Sequence, residues 1–213
     1  MRTFIVINFF YFVQRAEIIF NSVSETRFLL SLLYGLLRSS QGHFQQDSTM
    51  NIFYLDRDPY KAAKYTCDKH CVKMILETAQ LLSTAHHEWG TATDAMYKVT
   101  HKNHPSAVWV RENKKQYDWT YELLQWLSFE YTNRYKKVHK TWSKLQTELL
   151  FAPAGMPDGT FKDPPLCMPD YCKLDDAVLS YRKLYNEEKS EFAKWNHSVK
   201  PYWYTGDRDA ESV

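Results

Sequence analysis

The chain has 213 residues, enough for one domain and perhaps an appendage, and its 44% apolar and 24% charged composition excludes a wholly disordered polymer. Six glycines are too few for the Gly-rich turns of a sandwich, barrel or dinucleotide-binding unit, and four cysteines are too few for a disulfide scaffold of this length. A net charge of +2 with 16% aromatic residues decides nothing about partners until its distribution is known.

Residues 1–49 and 50–213 differ in character. The first part holds two apolar runs, Phe4 to Val13 and Phe28 to Leu37, each about ten residues and half the ~20 needed to span a bilayer. Met1-Arg2 before such a run is signal-like, but Val13-Gln14-Arg15-Ala16-Glu17 is a poor cleavage site. We read residues 1–49 as an apolar extension with a polar linker, Ser39 to Thr49. The helical domain is expected over 50–213, with Met50 as a natural start and Asn51 to Leu55 as a short apolar leading segment.

Helical patterning begins at Asp58-Pro59, an N-cap followed by proline at the first helical position. A short helix is predicted over Lys61–Tyr65. The clearest helix runs from Asp68 to about Trp89, with Val72, Ile75, Leu76, Ala79 and Leu82 as its apolar stripe. His104-Pro105-Ser106 opens another stretch to about Tyr135, whose expected core is Val108, Trp109, Tyr117, Tyr121, Leu124 and Leu127. A shorter helix is expected over Lys140–Leu150. Five prolines between Pro153 and Pro169 mark a long loop. Asp175 or Asp176 then caps a last helix to about Trp195, and Lys200 to Gly206 is an aromatic, non-helical end. The fold class is all-α, a single compact helical domain.

Chemistry concentrates on the long helix. His70 and Glu77 are seven residues apart and share a face, with Lys73 between them. Such a face can join a proton donor, a charge and a base, or be a solvated surface with an ordinary Lys73–Glu77 pair. Between Lys98 and Lys144, ten basic residues stand against four acidic ones and interleave with tryptophan and tyrosine. That pattern suits nucleic acid, with cations for phosphates and rings for bases, and suits an ordinary helix surface equally. Cys67-x-x-His70-Cys71, His101-x2-His104 and Cys167-x4-Cys172 raise a metal reading. None has the usual Cys-x2-Cys spacing, and no metal or cofactor is expected.

The stretch Asp68-x-His70-x6-Glu77 resembles one in the phage pyrimidine-dimer DNA glycosylase/AP lyases of the endonuclease V type. Asn103-His104-Pro105 resembles a segment following that helix in bacterial relatives, and Pro201-Tyr202-Trp203-Tyr204 an aromatic segment near the family's C-terminus. The resemblance spans Met50–Gly206. It implies a monomeric, cytoplasmic DNA-repair enzyme of the infected host cell, acting on double-stranded DNA without a cofactor or a membrane partner. It excises a base of a pyrimidine dimer and nicks the backbone through an imine. Glu77 then matches the catalytic glutamate, and His70 the histidine that positions the lesion. Tyr202, Trp203 and Tyr204, with His104, Arg111, Lys114 and Lys115, are the expected DNA contacts. The sequence departs from the family at Leu76 and Gln80, where arginines flank the glutamate, and at Asn51, which is not the small residue that follows the family's removed Met. The amine is therefore that of Met50, or Lys73 serves, or the chemistry differs. A non-catalytic nucleic-acid-binding protein and a metal-binding helical protein are the alternatives.

Overall fold

The computed structural model describes residues 51–206, which hold six α-helices, one 3-10 turn and no strand. The leading segment 51–55 has no regular secondary structure and turns tightly at Tyr54, where Leu55 N donates to the Phe53 carbonyl at 2.9 Å. Its residues are sunk into the helices, with Ile52, Tyr54 and Leu55 almost wholly buried. Polar side chains satisfy part of its backbone, because Asn51 Oδ1 accepts from Ile52 N and Arg182 Nε donates to the Leu55 carbonyl.

Helix α1 spans Pro59–Tyr65. The Asp58 carboxylate accepts from Tyr60 N at 2.9 Å, and Pro59 occupies the first turn, where its missing N–H costs nothing. Its buried face is Ala62 and Ala63, small enough to let α1 lie close on its neighbour. Helix α2 spans Asp68–Glu88 and ends where Gly90 takes φ +68°, a left-handed conformation that glycine adopts without a Cβ penalty. Helix α3 is Pro105–Val110 and α4 is Lys114–Tyr135; α5 is Lys140–Leu145 and α6 is Ala177–Glu188. The centre is the α2–α4 pair; α1 packs on α4, while α3 and α5 touch both. Leu81, Leu82, Leu124 and Leu127 lie fully buried there, and each contributes roughly 1.5–3 kcal/mol by leaving water.

Several boundaries differ from the sequence expectation. The stretch from His104 to Tyr135 is two helices, because the Asn113 side chain caps α4 by accepting from Gln116 N. The helix expected to reach Leu150 stops at Leu145, and the one expected to reach Trp195 stops at Glu188. The stripe of α2 is also rotated. Val72 and Leu76, expected in the core, are each 41% exposed, and Val108 on α3 is exposed as well. The buried arc is centred instead on Cys71, Met74, Ile75, Thr78 and Leu82, and takes in His70 at its edge. The rotation is possible because His70 finds a polar partner inside.

The proline-rich residues 147–169 lack helix but are pinned. Trp109 Nε1 donates to the Lys162 carbonyl at 2.9 Å, and Lys114 N to that of Pro157 at 3.0 Å. The Tyr54 hydroxyl donates to Asp163 and the Tyr181 hydroxyl to the Pro165 carbonyl.

Candidate functional site

His70 is the third residue of α2 and lies only 3% exposed. Its ring stacks on Phe53 with centroids 4.2 Å apart and planes at 18°, and Phe192 meets it edge-on. Its Nδ1 is 2.6 Å from the Tyr185 hydroxyl of α6. Burial, reinforced by Lys189, Lys73 and Lys69, lowers the imidazole pKa to about 3. The ring is therefore neutral at physiological pH. The sequence reading put it on a polar face away from the core; the structure corrects this. Its contacts are those of a lock joining the leading segment, α2 and α6, a positioning role. Beside it, burial raises the Cys67 thiol and pushes that of Cys71 up to about 12, so neither is a ready thiolate.

Lys73 and Glu77 form an i,i+4 ion pair at 3.2 Å, their side chains 37% and 16% exposed. The half-buried carboxylate sits just outside the buried arc of α2, 20° around the helix from His70 by the 3.6-residue repeat and about 10 Å along it. A carboxylate held there beside an ammonium can stabilise a developing positive charge and carry a proton. Met50, the other expected catalytic position, lies outside the described residues.

The expected DNA contacts divide between two places. His104 caps α3, its Nδ1 accepting from Ser106 N at 3.2 Å, and burial lowers its pKa. The Arg111 guanidinium donates to the Lys102 carbonyl, Lys114 pairs with Asp158 at 3.2 Å, and Lys115 is exposed. Arg111, Lys114 and Lys115 lie where α3 meets the start of α4, and His104 lies at the other end of the short α3. Tyr202, 81% exposed, lines a groove with Asn133 and Arg134 at the other end of α4. The two places are about 30 Å apart along the helix, so the ten-residue basic run is not one surface. Trp203 is half-buried and Tyr204 is buried.

Residues not singled out in the sequence organise the second place. Arg182 Nη2 donates to Asp56 at 3.1 Å, and its guanidinium lies 5.3 Å from the Trp203 ring centre, 5.6 Å from Tyr65 and 5.8 Å from Tyr202. No local spacing marks Arg182, because its partners come from three distant segments. A further ring contact, Trp203 to Tyr185 at 6.1 Å, joins this cluster to the His70 lock. Arg134, with its side chain 1% exposed, binds Glu130 at 2.8 Å, Asp68 at 3.1 Å and the Thr66 and Lys64 carbonyls. It is a buried tie between α4, α1 and the start of α2.

Among the described residues no three histidine, cysteine, aspartate or glutamate side chains are grouped to hold a metal ion, and all four cysteines are free thiols. The residues of the metal reading are thus spent on packing: Cys67 and Cys71 in the core, His70 in the ring stack, His104 as a cap. No helix among the described residues is long and apolar enough to cross a membrane. Comparison with models of known families, with curated proteins and with solved structures finds no match.

Proposed function

We propose that the chain is a DNA glycosylase with AP lyase activity on damaged bases, pyrimidine dimers first among them, working through an imine. The observation that carries this reading is the half-buried Glu77 carboxylate paired with Lys73 on the α2 face, within the Asp68-x-His70-x6-Glu77 pattern. Phe53, which stacks on His70 at 4.2 Å, ties the segment that follows position 50 to the N-terminal end of the same helix.

In this scheme a neutral amine forms a bond to the sugar C1′ as the glycosidic C1′–N bond breaks. The base leaves with that electron pair and takes a proton. The nitrogen lone pair then opens the ring at O4′, which is protonated, and a protonated imine remains. Loss of a C2′ proton expels the 3′ phosphate. Glu77 offsets the positive charge at C1′ and carries protons; Lys73 pairs with it or serves as the amine itself. His70 holds the leading segment in place.

The test is borohydride trapping on duplex DNA with one thymine dimer, using chains that begin at Met1 and at Met50, each with and without Glu77→Gln. Trapping by the Met50 form, lost in Glu77→Gln, is the expected result. Trapping by both forms that disappears in Lys73→Ala moves the nucleophile to Lys73. Absence of both adduct and strand break in every form refutes the proposal.

A further inference from the structure

Two adjoining concavities lie against α1 and the C-terminal half of α4, the larger also bounded by residues 197–202 and the smaller by Val138 and Trp142. One, of about 840 Å³, is bordered by Lys61, Lys64, Lys136 and Lys200. The other, of about 470 Å³, is lined by the rings of Tyr60, Trp126, Phe129 and Trp142. They share Tyr60, Lys64, Glu130 and Asn133, so basic rim and aromatic floor are continuous. Glu130 is the one carboxylate in either lining, and Arg134 binds it at 2.8 Å. The groove therefore presents four ammonium groups to one engaged acid.

The aromatic side is open to a ligand. Tyr60 and Phe129 are exposed; Tyr60 meets Trp126 edge-on at 4.9 Å and carries the Lys64 ammonium over one face at 5.2 Å, which puts a cation beside the ring that would receive a base. Lys136 closes α4 at φ +56°, and its Nζ donates to the Asn133 carbonyl at 2.7 Å, which holds that ammonium at the border of the groove.

We infer that this groove binds a single strand of nucleic acid, with phosphates on Lys61, Lys64 and Lys136 and an unstacked base on the Tyr60–Trp126 rings. Flat rings are useful only to a base whose face is open, which a duplex does not offer, while spaced lysines match a phosphate backbone. The site is distinct from the Lys73–Glu77 pair and does not depend on imine chemistry there.

The experiment measures binding of a fluorescent, lesion-free oligothymidylate 12-mer to the full chain by anisotropy across a salt series. Lys61→Gln with Lys64→Gln should weaken binding at least tenfold at low salt and flatten the log–log salt slope by about 1.4, two contacts at ~0.7 each. Tyr60→Ala should weaken it several-fold with the slope unchanged, and Lys162→Gln with Lys173→Gln, two exposed lysines outside both linings, should change neither. Wild-type affinity in the Lys61/Lys64 variant overturns the inference, as does stronger binding of an unlabelled duplex of equal length. The probe carries no lesion, so a failed trapping experiment leaves this result standing, and the reverse holds too.

Discussion

Lowering the pH probes the His70 lock directly. Its imidazole titrates near 6.5 when unfolded but at about 3 in the native ring stack. Between these values the unfolded chain binds a proton that the folded chain refuses, so native stability is intact above pH 6.5 and falls as pH drops toward 3. At 1.36 kcal/mol per pH unit, the loss between pH 6.5 and 5 is about 2 kcal/mol. His86, His104 and His139 are shifted in the same direction, so the wild-type curve alone overstates the effect. His70→Phe isolates it, because a phenyl ring retains the stack on Phe53 and cannot titrate. That variant should lose ~1–3 kcal/mol at pH 7.5, where the Tyr185 hydroxyl forfeits its imidazole partner. It should then lose about 2 kcal/mol less than wild type on moving to pH 5. Urea unfolding at both pH values, followed by tryptophan fluorescence, measures each quantity. Parallel pH dependence in the two proteins would refute the claim that His70 is buried and neutral.

Other substitutions test other parts of the frame by the same unfolding assay. Arg134→Met should cost roughly 3–5 kcal/mol, since it strands the Asp68 and Glu130 carboxylates inside the α1–α4 contact. Asp176→Ala removes the oxygen that accepts from Leu179 N at 2.9 Å and should cost about 1 kcal/mol through loss of the α6 cap. Gly90→Ala should cost about 1 kcal/mol from backbone conformation alone, because φ is +68° and a Cβ there would meet nothing within 4 Å. Lys136→Gly should do the opposite and stabilise by about 0.5–1 kcal/mol, while weakening single-strand binding.

What the chain discloses locally, it discloses well. Asp58-Pro59 and Asp176 mark helix starts because capping needs only a side chain and the next three residues. Asn113 caps by the same chemistry, yet it lies between two apolar stretches whose periodicities run together, so the break is hidden. The apolar pattern overstated the core at Val72, Leu76 and Val108, since a surplus of apolar residues leaves the edge of a stripe undetermined. His70 was legible as a chemical group but not as a buried one, because Tyr185 is 115 residues away. The groove was missed for the same reason. Lys61 and Lys64 are three apart on α1, but their opposite wall is residues 197–202. By contrast the dense run of basic residues from Lys98 to Lys144 is plain in the sequence, and α4 carries its ends to separate places.

The segment 51–55 depends on residues made long after it. Asn51 is held by the Tyr181 hydroxyl, 130 residues downstream, and Phe53 by the rings of Tyr181 and Tyr185. At ribosomal speeds of 5–20 residues per second, roughly 7 to 26 seconds separate the synthesis of these partners. During that interval the apolar run Ile52 to Leu55 has no α6 to cover it. The helices between can form as they emerge, but segment 51–55 is covered only when α6 arrives. A nascent chain stalled before Tyr181 would thus present a sticky, uncapped segment to chaperones, and a stop codon there would forfeit the beginning of the fold as well as its end.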